Sequence, residues 1–172
     1  MQQPENIINL LDLPEFKEIH DYYTSYECLW NYNGQVNQFA NNNFYFTQML
    51  FDEHNNWFSD HAERHVTYIL KSLSKHLDSN LELLRSKANL FVNRNKHYRC
   101  GYHVDMLDTD DYYTIVYNIN TSNGGTEIKD GEFYKGNENC GVLFYGNTEH
   151  QSITQTDTYT RLNINVNFRK SK

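Results

Sequence analysis

Proline is nearly absent. The 172 residues hold two, Pro4 and Pro14, so no proline-rich linker divides the chain. Cysteine is scarce too. Cys28, Cys100 and Cys140 are odd in number, widely spaced and without a CxxC pair, which argues against a disulfide framework or a cysteine zinc site and for reduced thiols. No stretch approaches the roughly 20 apolar residues that span a bilayer. The opening "MQQPENIINLLDL" lacks the basic region and small-residue cleavage site of a signal peptide, so a cytoplasmic location and no membrane partner are expected. Clustered basic residues are missing as well. With a formal charge of -7 and a pI near 5.5, the chain would repel a run of phosphates, which argues against a nucleic-acid partner. There is no internal repeat, Gly/Ser linker or charge block, so one compact unit over residues 1–172 is expected.

What is present is aromatic and asparagine-rich. Hydrophobic residues make up a modest 38%, but aromatics reach 15%, so Tyr and Phe are expected to supply much of the packing. The asparagine usage could reflect an AT-rich genome as much as function. "LPEFKEIHDYYTSY" places Phe16, Ile19, Tyr23 and Tyr26 at helical spacing behind Pro14. "NFYFTQMLF" reads as a strand. A second helix carries the apolar stripe Ala62, Val66, Ile69, Leu70, Leu73 and Leu77, with Asp60 and Glu63 as a capping box. Residues 1–84 thus form a helical and β support region. From 85 to 172, short β-rich segments separated by Asn, Gly and Asp suggest a sandwich or barrel with the helices on one side. "RLNINVNF" alternates most clearly: Leu162, Ile164, Val166 and Phe168 share one face, Arg161, Asn163, Asn165 and Asn167 the other. That polar face could meet water or line a wet cavity.

Chemistry concentrates in this second half. In "YHVD", His103 and Asp105 project from one face of an extended segment. His150 follows the apolar segment "GVLFYG", and Arg161 lies eleven residues beyond it. Two histidines and a carboxylate can occupy one face of a metal and leave its other positions open, as in non-haem Fe(II) sites. A guanidinium suits the far carboxylate of a dicarboxylate cosubstrate, because it offers paired planar hydrogen bonds that Lys cannot copy.

The order His-x-Asp, His, Arg resembles the 2-oxoglutarate and Fe(II)-dependent oxygenases, and in particular the small prolyl 4-hydroxylase-like versions of marine and T4-like bacteriophages. The resemblance runs from about Leu29 to Phe168. It is carried by "LWNYN", "FYFTQMLFDE", "RSKANLFVN", "YHVD", "YYTIVYNINTSNGGTEIKDG", "GVLFYGNTEHQS" and "RLNINVNF". It implies a double-stranded β-helix (jelly roll), mainly β with supporting α-helices. It puts Fe(II) on His103, Asp105 and His150 as metal ligands and catalytic residues, and the distal carboxylate of 2-oxoglutarate on Arg161. Positions where related enzymes carry polar side chains, often Tyr, fall on Asn93 and Asn118, with Thr114 on the latter's face and Asn163 and Asn165 beside Arg161. Asn is shorter than Tyr, a departure from the pattern. The implied reaction consumes O2 and 2-oxoglutarate, gives succinate and CO2, and hydroxylates a peptide or protein, with ascorbate a candidate reductant. A phage-encoded enzyme would work in the host cytoplasm. Oligomeric state is not legible.

Rival readings stay open at this point. A nucleic-acid-base oxygenase of the same type commonly has a second Arg six residues after the first, but position 167 is Asn and the next is Arg169. A non-catalytic jelly-roll binding module, or a cupin-like metalloenzyme without cosubstrate, would not need Arg161. "HAERH" lacks Glu directly after its first His, so it does not match a zinc-protease helix and reads as a solvated face. Gly124 and Gly125 read as a tight turn, not a phosphate loop. Cys100 reads as a small buried residue and Trp30 and Trp57 as anchors. Ser152 has no acid placed to complete a hydrolase triad. The loops "VNRNKHYRCG" and "MLDTDDY" are candidate substrate contacts.

Overall fold

A computed structural model describes residues 4–35, 43–105 and 111–171. The chain runs β1 (Glu5–Ile7), α1 (Leu13–Thr24), β2 (Asn31–Asn33), β3 (Tyr45–Phe51), α2 (Asp60–His76) and β4 (Leu81–Val92). It continues through β5 (Tyr112–Asn118), β6 (Gly125–Ile128), β7 (Phe133–Lys135), β8 (Cys140–Tyr145), β9 (His150–Ile153) and β10 (Thr160–Lys170). Seven strands form an antiparallel sheet in the order β1-β8-β5-β10-β4-β3-β2, and three form a smaller sheet, β7-β6-β9. Bridges from Arg99 to Ile153 and from His103 to His150 lay the segment before Asp105 along the free edge of β9. This is the jelly-roll, double-stranded β-helix architecture. Among the described residues, no helix is long and apolar enough to cross a membrane.

The helices cover one face of the large sheet. Ile19 and Tyr23 from α1 and Val66, Ile69 and Leu73 from α2 pack with Ala88, Ile115, Leu162, Ile164, Val166 and Phe168. Fully burying side chains of this size contributes about 1.5–3 kcal/mol each. Trp30 and Trp57 pack at the margin of this core. The cap of α2 lies one residue earlier than the sequence suggests: Ser59, in extended backbone, accepts a hydrogen bond from the Ala62 amide, and Asp60 is already helical.

Two expectations are overturned here. "HAERH" is not a solvated face, because His65 is fully buried against Tyr22 and Tyr23. Burial lowers its pKa to about 4, so the ring is neutral near pH 7. Nor do Gly124 and Gly125 form a tight turn, since Gly125 opens β6 and neither takes left-handed backbone. Their need is close approach: a Cβ on Gly125 would lie 2.1 Å from the Tyr134 carbonyl oxygen, and one on Gly124 2.7 Å from that of Ile153. Left-handed backbone is taken instead by Asn9, Asn55, Asp78, Asn95, Asp130 and Asn139, and by Gly101. These four asparagines therefore have a backbone function, since Asn and Asp tolerate this conformation better than other side chains.

Candidate metal centre

The opposite face of the large sheet looks toward the small one, and there the polar face of β10 is buried. Arg161, Asn163, Asn165 and Asn167 are at most 7% exposed, so the bulk-water reading of this face is excluded. Register sets their neighbours. Asn163 sits between Asn89 and Asn118, Asn165 between Lys87 and Val116, and Asn167 between Arg85 and Thr114.

His103 and His150 are a cross-strand pair. Each backbone amide donates to the other's carbonyl at 2.9 Å, and the ring centroids are 4.5 Å apart. Gly101, at φ 84°, reshapes the backbone just before His103. Asp105 lies between the imidazoles: its Oδ1 is 3.8 Å from His103 Nε2 and its Oδ2 3.8 Å from His150 Nε2. One potential ligand atom from each residue falls within 4.8 Å of the others.

Tautomers follow from the partners. His103 Nδ1 faces the Gly101 carbonyl at 3.3 Å and His150 Nδ1 the Thr148 carbonyl at 2.9 Å. A carbonyl can only accept, so both Nδ1 atoms carry hydrogen and both Nε2 lone pairs are left for a metal. Burial, reinforced by the neighbouring His150, lowers the His103 pKa. Asp105 Oδ2 accepts from Thr114 Oγ1, Asn165 Nδ2 and Asn167 Nδ2, each at 3.1 Å. Among the described residues Oδ1 accepts no hydrogen bond. Burial alone would raise this carboxyl, but the His150 ring, the Asn165 amide, the His103 ring and Lys87 outweigh it and hold the pKa at about 2. The carboxylate is therefore ionised and oriented.

Arg161 is wholly buried, and among the described residues neither its Nε nor its two terminal nitrogens has a hydrogen-bond partner. Burial lowers its pKa to about 10, which leaves it cationic. Its guanidinium lies over the Phe91 ring, 5.3 Å from the centroid. An unpartnered buried guanidinium is costly, and an anionic ligand group would satisfy it. The same face of β10 presents Asn163 and Asn165 to a cavity also lined by His103, His150, Tyr45 and Lys87. The donor set fits a divalent metal, and the orphaned cation calls for an anionic group, although Arg161 does not itself line this cavity.

The remaining sequence candidates divide. Asn163 Oδ1 accepts from Asn89 Nδ2 at 2.8 Å, leaving its own Nδ2 unpartnered. Asn118 donates to the Cys140 carbonyl and keeps an unpartnered, buried Oδ1. Thr114 holds Asp105 in place of facing a cosubstrate. Asn93 is spent on its loop, donating to the Thr158 carbonyl and accepting from the Asn95 amide. Sequence reasoning missed Lys87 and Asn89, although the alternation of "KANLFVN" puts both on the face of Phe91. Residues 106–110, from the loop "MLDTDDY", lie outside the described residues.

No protein-family model and no curated protein matches the sequence. Solved structures do share its fold. A 2OG-Fe(II) oxygenase family oxidoreductase from Burkholderia pseudomallei aligns with TM-score 0.73 and 9% identity over 96% of this chain and 84% of its own. The α-ketoglutarate-dependent non-haem epimerase SnoN of nogalamycin biosynthesis aligns with TM-score 0.69 and 14% identity over 96% and 76%. A prolyl hydroxylase from Trichoplax adhaerens, in complex with a hypoxia-inducible-factor peptide fragment, aligns with TM-score 0.63 and 11% identity over 96% and 83%. At such identities the likeness defines the fold. An epimerase and a hydroxylase among the neighbours leave the reaction to be argued from the site.

Proposed function

We propose that the chain is an Fe(II)- and 2-oxoglutarate-dependent dioxygenase, a prolyl 4-hydroxylase-like hydroxylase of a peptide or protein. The observation that carries this reading is the orphaned Arg161 guanidinium on the strand face that also supports Asp105. His103 and His150 would hold ferrous iron through Nε2 and Asp105 through Oδ1. Bound there, iron and 2-oxoglutarate supply O2 activation, with succinate and CO2 as co-products. Arg161 would pair with the distal carboxylate, a charge-assisted contact in a site where water is excluded. Asn163 brings a free donor, its Nδ2, for the cosubstrate, whereas the free Oδ1 of Asn118 can only accept and does not suit a carboxylate; Tyr45 and Phe91, stacked with centroids 5.5 Å apart, wall the cavity.

A peptide substrate rests on the resemblance and on a neighbour that is itself a prolyl hydroxylase bound to a peptide. A base oxygenase fits less well: the net charge is -7, and the side chain at 167 is committed to Asp105. The test is succinate formation with Fe(II), 2-oxoglutarate, O2 and ascorbate over a panel of prolyl peptides. Turnover that requires Fe(II) and vanishes in His103→Ala with the fold intact supports the proposal. Undiminished turnover in that variant defeats it.

A further inference from the structure

A second group of metal-ligating side chains lies on the helical face, across the large sheet from the cavity. His61 and His65 stand one turn apart on α2, and Glu18 faces them from α1. One potential ligand atom from each lies within 4.8 Å of the others. His65 is the unusual member. It is fully buried, and among the described residues neither ring nitrogen has a hydrogen-bond partner. Its Nε2 points at Glu18 Oε1 from 3.6 Å, beyond hydrogen-bond range. A buried imidazole left this way is unfavourable, and packing alone would be better served by an apolar side chain.

The surroundings hold the other two groups ready. Tyr68 donates to Glu18 Oε2 at 3.0 Å. Tyr22 stacks on His61, with centroids 4.5 Å apart and planes at 19°. Positive charge is already drawn to the spot: Arg64 Nε donates to Glu18 Oε1 at 2.5 Å, and a terminal nitrogen meets His61 Nδ1 at 3.0 Å. The Arg64 side chain is 44% exposed, so it can swing into water and yield both groups.

We propose that Glu18, His61 and His65 form a second metal site, for a divalent ion of the zinc class, that ties α1 to α2. Two imidazole nitrogens and one carboxylate oxygen are zinc-type donors, and a water from the open side completes four-coordination. The ion displaces the Arg64 guanidinium and satisfies the buried His65 nitrogen. The site does not depend on the oxygenase reading.

The test is a zinc titration of the metal-free chain by calorimetry and native mass spectrometry. Asp105→Ala serves as the background that disables the other candidate centre. One Zn(II) per chain is expected in that background and none after adding His61→Ala or Glu18→Gln, both at partly exposed positions. Zinc at a hundred times its Kd should shift the folding equilibrium about 100-fold toward the native state in Asp105→Ala alone. Adding Arg64→Gln should tighten binding, because a competing cation is removed. Zinc retained undiminished after His61→Ala and Glu18→Gln, or weakened by Arg64→Gln, would overturn the site.

Discussion

Asn167 and Thr114 are cross-strand partners on β10 and β5 that act on a third residue. Asn167 Nδ2 donates to Thr114 Oγ1 at 2.8 Å, and both donate to Oδ2 of Asp105 at 3.1 Å. The strand register thereby aims a carboxylate that belongs to neither strand. Oδ1 is left to face the His103 imidazole.

Loss of either donor should loosen that aim without opening the core. Asn167→Leu or Thr114→Val is expected to weaken Fe(II) or Mn(II) binding about 10–100-fold. Calorimetry on the metal-free chain measures it, with circular dichroism unchanged. Metal affinity equal to the parent's would show that these contacts do not orient a ligand.

Arg161→Met should separate stability from function. Removing an unpartnered buried cation is expected to stabilise the cosubstrate-free chain by about 1–3 kcal/mol in denaturant titrations. The same substitution should abolish the rise in melting temperature that 2-oxoglutarate produces in the metal-loaded parent. A destabilised variant that still responds to 2-oxoglutarate would reverse both signs.

Burial raises the pKa of Cys28 to about 12 and that of Cys100 to about 11. At pH 8 the native Cys100 thiol should alkylate about 100-fold more slowly than in the denatured chain, because the thiolate fraction falls by that factor. Peptide mapping after timed iodoacetamide exposure reads this directly. Modification at the denatured rate would contradict the buried placement.

Gly125→Ala should cost about 1–3 kcal/mol by overpacking, because the new Cβ would meet the Tyr134 carbonyl oxygen. Since Ile128 at the end of β6 pairs with His150, metal affinity should fall along with the melting temperature. A variant as stable as the parent would show that β6 and β7 can separate freely.

The mainly-β fold was legible because its signals are local: period-two alternation, asparagine and glycine breaks, and one strong apolar helical stripe. The destination of a polar strand face was not. Alternation in "RLNINVNF" is symmetric between water and cavity, and the small sheet laid across it decides the matter. His65 failed for the same reason, since only the tertiary approach of α1 shows that its helix face is covered. The glycine pair answers to the Tyr134 and Ile153 carbonyls, and no local pattern announces such neighbours. Within the candidate site, the side-by-side placement of His103 and Asp105 is a two-residue matter. The roles of Lys87, Asn89 and Asn167 depend on cross-strand register.

In the proposed centre, His103, Asp105 and His150 would hold ferrous iron with 2-oxoglutarate beside Arg161. Anaerobic absorption spectroscopy tests it most directly, because a keto acid chelated to Fe(II) gives a visible charge-transfer band. The band is expected when Fe(II) and 2-oxoglutarate are both added, and it should be lost in His150→Ala and weakened in Arg161→Met. A parent chain that binds Fe(II) yet never develops the band, or a band that survives His150→Ala unchanged, would contradict the claim.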